Sequence, residues 1–232
     1  MIKKALAIIT ARGGSKRIPH KNIKLFLGQP IIKYSIDAAL KSKCFDEIMV
    51  STDDKKIAKI SKKLGAKVPF YRSAKKSDDY ATTSDVIKET LFEYKKRGLE
   101  FEYFCCIYPT VPFITAEKIK KAFKQMEKNN ADSIFPVVRF SSPIQRSLKI
   151  KDGRLKRIYP KYEKSRSQDL MSTYHDCGQF YWGKTKSFLK RESILTDNTI
   201  GIETSELEMQ DIDSPEDWRL AEMKYKSIHG SK

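Results

Sequence analysis

Apolar residues along this chain fall into short unbroken runs that alternate with longer stretches of helical spacing. Residues 5–9, Ala-Leu-Ala-Ile-Ile, form a run without alternation, which predicts a strand buried on both faces of a parallel sheet. Residues 30–40 carry Ile32, Ile36, Ala39 and Leu40 at helical spacing, with Pro30 suited to the first turn. Residues 47–51 predict a second strand, after which Asp53 is expected to cap a helix over residues 54–64 that Gly65 stops. An edge-type strand is expected at 66–70. Thr83 or Ser84 then caps a helix ending near Arg97 and Gly98. Residues 101–108 and 132–138 predict two more strands, separated by a helix that Thr115 opens. Such alternation with short connections indicates one α/β domain over residues 1–232, three-layered around a mostly parallel sheet.

Between residues 139 and 183 the alternation lapses. Residues 149–156 read as a hairpin turning at Asp152-Gly153, inside what is expected to be a small inserted segment that handles substrate. Residues 218–225 predict a closing amphipathic helix. No repeat or linker divides the chain.

Composition adds bounds. With 40% hydrophobic and 11% aromatic residues the chain is globular rather than disordered. No stretch approaches the roughly 18 consecutive apolar residues of a membrane span, so no membrane partner is expected. The start Met1-Ile2-Lys3-Lys4 leads through a short apolar run into Ala11-Arg12-Gly13-Gly14-Ser15, and reads as a strand rather than a signal peptide. Cys44, Cys105, Cys106 and Cys177 lack paired metal spacing and are expected to be reduced thiols of a cytoplasmic protein.

The formal charge of +17 changes the picture more. Runs such as residues 55–63 are solvated helix faces, yet a charge this high attracts anions. Either a nucleic acid held by a basic module or small anionic substrates would fit. No helix-turn-helix, aromatic RNA-binding strand or zinc knuckle is present, so small anions are the expectation and nucleic acid the alternative.

Candidate chemistry begins where the first strand ends. Gly13 and Gly14 are suited to a tight turn whose amides face an anion, and Arg12, Lys16, Arg17 and Lys21 surround them. A triphosphate needs such charge for binding and for departure of pyrophosphate, although ordinary loop chemistry gives a similar string. The Walker A order is absent. Further on, Asp211 and Asp213 would share one side of a strand. Two hard oxygen donors beside a polyphosphate make a minimal Mg²⁺ site. Alternatively, Asp213 or Ser214 caps a helix starting near Pro215.

The string Ala11-Arg12-Gly13-Gly14-Ser15-Lys16-Arg17-Ile18-Pro19, with Lys21 and Asn22, resembles the signature loop of the cytidylyltransferases that activate sialic-acid-type sugars. Ser51-Thr52-Asp53, Asp79-Tyr80-Ala81-Thr82-Thr83, Tyr108-Pro109-Thr110-Val111-Pro112-Phe113 and Gln210-Asp211-Ile212-Asp213 resemble that family's later landmarks, in order. The resemblance implies a Rossmann-like fold, CTP as substrate, Mg²⁺ as cofactor, and a homodimer built partly on the inserted segment. It implies nucleotide contacts at Ala11, Arg12, Gly13, Gly14, Ser15, Lys21, Asn22, Thr82, Tyr108 and Pro109. Catalytic roles fall on Arg12, Lys21, Asp211 and Asp213, the two aspartates also holding the metal. Tyr108 departs from the family, which has glutamine there.

Arg166-Ser167-Gln168-Asp169-Leu170 resembles the segment that meets the sugar carboxylate. Arg166 would face it through paired hydrogen bonds, with Gln168 and Asp169 beside it. Tyr174-His175-Asp176-Cys177-Gly178-Gln179-Phe180-Tyr181-Trp182 is similar to the subgroup that activates pseudaminic acid. That likeness assigns His175, Asp176 and Gln179 to sugar recognition. The implied reaction transfers CMP from CTP to pseudaminic acid, with sialic, legionaminic or 3-deoxy-octulosonic acid as rival acceptors.

Overall fold

A computed structural model describes residues 2–78 and 80–230. The first strand, β1 (Ile2–Thr10), is followed by a two-residue hairpin of β2 (Leu25–Phe26) and β3 (Gln29–Pro30) and by helix α1 (Ile32–Ser42). Then come β4 (Glu47–Ser51), α2 (Lys55–Lys63), α3 (Thr83–Lys96), β5 (Glu100–Ile107), α4 (Ala116–Lys128) and β6 (Ser133–Arg139). The remainder holds the hairpin β7 (Leu148–Lys151) and β8 (Arg154–Arg157), then β9 (Tyr174–Asp176), β10 (Phe180–Lys184), α5 (Thr185–Arg191), β11 (Thr199–Glu203) and α6 (Pro215–His229).

Seven strands form the main sheet in the order β11-β6-β10-β5-β1-β4, with β9 paired to β6. β4, β1 and β5 are mutually parallel; β10 opposes both β5 and β6, and β11 follows β6. Five strands therefore run one way, and β10 and β9 run against them. The mostly parallel expectation holds.

Ala5 to Ile9 of β1 are fully buried because both faces are covered. Ala5, Ala7 and Ile9 pack with α1, α2 and α4 through Ile36, Ile57 and Ile119. Leu6 and Ile8 pack on the other face with Ile87 and Leu91 of α3 and Phe188 of α5. This period-2 division of one strand between two cores makes the three layers. A third cluster joins Trp218 and Ala221 of α6 to Phe26, Ile31, Phe113 and Ile212. No helix among the described residues is long and apolar enough to cross a membrane.

Several local expectations are corrected. Pro30 pairs with Leu25 in the small hairpin, which turns at Leu27 and Gly28, both left-handed (φ 47 and 82), so α1 starts after it. Residues 66–70 make only a single bridge, Lys67 to Met49, since Pro69 has no N–H to extend a ladder. Asp54, not Asp53, caps α2, accepting the Lys56 and Ile57 amides at 2.6 and 2.9 Å. Thr82, not Thr83 or Ser84, caps α3.

The stretch from 139 to 183 is not wholly an excursion, because β9 and β10 return to the sheet. β10 is wedged between β5 and β6, and a Cβ on Gly183 would lie 2.6 Å from the Phe104 ring. Only glycine admits that approach. Trp182 beside it is fully buried and stacks on Phe45 and Phe123 at 4.9 and 4.5 Å. The exposed part of the stretch carries β7 and β8, whose turn places Asp152 and Gly153 in the left-handed region (φ 52 and 71) as that turn type demands.

The cap of α3 is reciprocal: the Asp85 amide donates to Thr82 Oγ1, and the Thr82 amide donates to Asp85 Oδ2, each at 3.1 Å. Hydrogen bonds from Lys76 and Thr82 pull the Asp85 carboxyl from its ordinary 3.8 down to about 2. A folded-state value below the unfolded one stabilises the protein above pH ~4, and that contribution is lost as pH falls towards ~2. Asp85→Ala is expected to cost about 1 kcal/mol at neutral pH, as lost caps do. Urea-unfolding midpoints should show the gap from wild type closing as pH is lowered through that window.

Candidate active site

The loop leaving the carboxyl end of β1 lies where the sheet order turns from β4 on one side to β5 on the other. Open α/β sheets bind ligands at such switch points. An open cleft of ≈ 480 Å³ is found there, lined by Arg12, Ser15, Lys16, Arg17, Lys21, Asn22, Arg72, Thr82, Thr83, Tyr108, Pro109, Asp211 and Asp213, among others. Its size is in the usual range for small-molecule sites.

The loop does turn tightly, the Ser15 amide donating to the Gly13 carbonyl at 3.0 Å, but not through left-handed backbone. Neither Gly13 nor Gly14 has a positive φ, and a side chain on Gly14 would meet open space. Gly13 is needed for close approach, because a Cβ there would stand 3.0 Å from Asp54 Cβ. Its amide is also taken, donating to Asp53 Oδ1 at 2.8 Å. Ala11 is buried, with its amide on the Ser51 carbonyl at 3.0 Å. Ala11, Gly13 and Gly14 thus shape the loop without lining the cleft. Asn22 is buried and donates from Nδ2 to the Arg12 carbonyl at 2.8 Å, which pins the loop from below. Arg12 reaches the Asp78 carbonyl at 2.9 Å. Asp79 lies outside the described residues.

The late aspartates meet this loop. Residues 211–213 do not form a strand, yet the alternation persists: Ile212 is buried in the third cluster, and Asp211 and Asp213 line the cleft. Arg17 approaches Asp213 Oδ2 at 2.8 Å, and Lys21 donates to the Ile212 carbonyl at 2.7 Å and to Asp213 Oδ1 at 3.3 Å. Ser214, with Asp217, caps α6, so neither aspartate is spent as a cap. Partial enclosure and the neighbouring Asp213 charge raise the Asp211 carboxyl above its ordinary range. A pair of crowded carboxylates gains from a cation.

Arg72 was not singled out by sequence. It is buried in the cleft wall, donating from Nε to Ser51 Oγ at 3.0 Å and from Nη2 to the Ser51 carbonyl at 2.6 Å. Those partners lie 21 positions upstream, and no local spacing reveals them.

A second cavity of ≈ 530 Å³ shares Thr83 and Tyr108 with the first and is lined by Phe135, Val137, Tyr174, His175, Asp176, Tyr181 and Ile194, among others. Tyr108 and Thr83 join their hydroxyls at 2.7 Å. Tyr181 donates to Asp176 Oδ2 and the Gly178 amide to Oδ1, both at 2.8 Å. His175 and Asp176 therefore line a space that lies across Thr83 and Tyr108 from the cleft. Gln179 does not: it is buried, and its Nε2 holds the Glu208 carbonyl at 2.6 Å. Its place is behind the site, where burial of the side chain leaves a sugar no access. Arg166 and Asp169 are also elsewhere, paired with each other at 2.8 and 3.2 Å on the exposed arm. Gln168 borders a separate hollow with Arg139 and Phe140. Within one chain these three do not join the cleft.

Comparison with known proteins decides the family. The cytidylyltransferase family model matches residues 6–212. This chain is a cytidylyltransferase. A relative from Campylobacter jejuni, "Pseudaminic acid cytidylyltransferase", is 38% identical over 98% of this chain and 99% of its own length. A "CMP-N,N'-diacetyllegionaminic acid synthase" from Legionella pneumophila is 35% identical over 94% of both. Among solved structures, a "CMP:2-keto-3-deoxy-manno-octonic acid synthetase complexed with CTP" superposes with a TM-score of 0.70 at 16% identity, covering 97% of this chain and 100% of that one. At that identity it speaks for the fold, and the fold agrees with the Rossmann-like expectation. Among cytidylyltransferases of this type the chain stands apart at Tyr108, in the landmark after β5, whose side chain is committed to Thr83 and packs 5.5 Å from the Tyr181 ring.

Proposed function

We propose that this cytidylyltransferase transfers CMP from CTP to pseudaminic acid in the cytoplasm, releasing pyrophosphate, with Mg²⁺ as cofactor. The observation that carries the reading is the convergence of Arg12, Lys16, Arg17 and Lys21 with Asp211 and Asp213 around one cleft. The acceptor rests on full-length relatives that bear the pseudaminic acid name. The legionaminic acid relative supplies the rival acceptor.

In this reading the triphosphate lies along the cationic loop, with the first turn of α3 at its side. The anomeric hydroxyl of the sugar acid attacks the α-phosphorus, and its O–H bond breaks, releasing a proton to the water of the open cleft. A new P–O bond forms, and the bond from the α-phosphorus to the β-phosphate oxygen breaks to free pyrophosphate. Arg12 and Lys21 stabilise the charge that develops on the departing pyrophosphate. The body of the sugar extends past Thr83 and Tyr108 into the second cavity, where His175 and Asp176 meet its substituents. Asp211 and Asp213 suit a hard divalent cation by donor type and by mutual crowding. Mg²⁺ there would neutralise charge at the α-phosphate and lower the pKa of the attacking hydroxyl.

Arg166, Gln168 and Asp169 fit this scheme through a second copy. β7 and β8 put Ile150 and Leu155 opposite one another on one face, 75% and 66% exposed, and Lys149 opposite Lys156 on the other. An isolated two-stranded ribbon is marginal in water, and covering that apolar face with a partner subunit would stabilise it. The resulting symmetric dimer brings each arm to its partner.

Three outcomes test these points. Incubation with CTP, Mg²⁺ and a panel of sugar acids should give CMP-pseudaminic acid at least tenfold faster than any other CMP-sugar, read by chromatography. Equal use of legionaminic acid would withdraw the acceptor but not the reaction. Asp211→Asn should lower turnover by at least ~100-fold, since a bridging metal is worth several kcal/mol, with the melting temperature unchanged or slightly raised. Light scattering at micromolar concentration should give a dimer mass, and Ile150→Lys with Leu155→Lys should shift it towards the monomer.

A further inference from the structure

We propose that Asp53 is a positioning residue of the nucleotide site: its carboxylate supplies a side-chain rung that holds the cationic loop in register to receive a triphosphate. The proposal rests on the CTP reading of the cleft.

The parallel ladder between β1 and β4 ends at Thr10 opposite Ser51. Ala11 then donates to the Ser51 carbonyl at 3.0 Å. In a parallel pair the next rung would join the amide of residue 13 to the carbonyl of residue 53. The chain after β4 turns away instead, because Asp54 caps α2 and Thr52 Oγ1 accepts the Asp54 amide at 3.1 Å. Asp53 restores the rung with its side chain, taking the Gly13 amide at 2.8 Å. A carboxylate acceptor makes this a charge-assisted bond, stronger than the backbone rung it replaces.

Two consequences follow for the cleft. With the amides of 11 and 13 both held on the β4 side, the backbone of Arg12 is fixed between two anchored neighbours, and its side chain lines the cleft. Asn22 holds the Arg12 carbonyl from another direction, so residues 11 to 13 are fixed at three successive positions. The Asp53 charge also offsets the desolvation that burial imposes on Arg72, whose guanidinium is bound to Ser51 two residues away. Asp53 itself is exposed and does not cap α2.

Electrostatics alone makes the contrary prediction, since deleting a negative charge beside a triphosphate site should tighten binding. The two accounts separate in calorimetric titration of CTP with Mg²⁺ into wild type, Asp53→Ala, Asp53→Asn and Gly13→Ala. Asparagine keeps an oxygen for the Gly13 amide and drops the charge; alanine drops both. The rung account expects Asp53→Ala to raise the Kd for CTP about tenfold, the worth of one hydrogen bond to a charged group. Asp53→Asn should stay within about threefold of wild type. Gly13→Ala, whose Cβ would crowd Asp54, should match Asp53→Ala. Thermal unfolding without CTP should move by only a few degrees in both Asp53 variants, because Asp53 is exposed. Tighter binding in both Asp53 variants would make the carboxylate a mere competitor for the cations and overturn the proposal. Equal weakening in both would assign the effect to charge at Arg72, and no change in either would make the rung idle; each also overturns it. A wild type that binds CTP while the variants behave so leaves the cleft reading standing. A wild type that binds no CTP removes both.

Discussion

Like charges brought to one place repel, and Arg12, Lys16, Arg17, Lys21 and Arg72 all line a single cleft. Holding them there before a polyanion arrives is the constraint around which the neighbouring structure is organised. Asp213 stands against Arg17 and Lys21, the Asp53 charge acts on Arg72, and the Asp78 carbonyl receives Arg12. Asp213 and Asp53 are anions and the Asp78 carbonyl a neutral acceptor, fewer in charge than the five cations they face. A net charge of +17 over the chain adds a long-range attraction for an incoming triphosphate.

The scaffold that makes such an arrangement rigid is β1. Its side chains fill two cores at once, so the point where the cationic loop departs is set by packing on both faces rather than by the loop. The large aromatic side chains anchor the opposite half of the sheet: Trp182 is stacked between Phe45 and Phe123 while its indole N–H donates to the Ile119 carbonyl at 3.1 Å. Burial also pushes the Cys106 and Cys177 thiols up to about 12. These cysteines behave as core residues, and all four thiols are free.

A run of hydroxyls and carboxylate links the two cavities, from Thr83 through Tyr108 and Tyr181 to Asp176. Burial, Tyr108 and Asp176 together raise the Tyr181 phenol far above its ordinary range, so it remains a donor to Asp176 at any physiological pH. Tyr108 is fixed at its backbone as well, through the Gln179 carbonyl and the Ser35 hydroxyl at 2.9 and 2.7 Å. An amide side chain at this position could not close the same ring-to-ring contact. The departure from glutamine is therefore a difference in how the wall between the cavities is built.

Local signals in the sequence determined the elements that depend only on near neighbours. The unbroken apolar run of β1, the strand at Glu47–Ser51, the Thr115 cap and the Asp152-Gly153 turn were all legible, because burial on two faces, capping and left-handed turns each leave a mark within a few residues. The cationic loop and the Asp211–Asp213 pair were legible as chemistry for the same reason. Partnerships that span the chain were decided by tertiary structure alone. Asp53 and Asp54 are equivalent as letters; only the approach of Gly13 makes one a rung and the other a cap. Gln179 reads as a polar group facing a ligand, but the antiparallel insertion of β10 between β5 and β6 turns it inward onto Glu208. Arg72 reads as one cation among many, and becomes part of the cleft because Ser51 captures it. A side chain's type is written locally, whereas its neighbours are set by a sheet order that no short window contains.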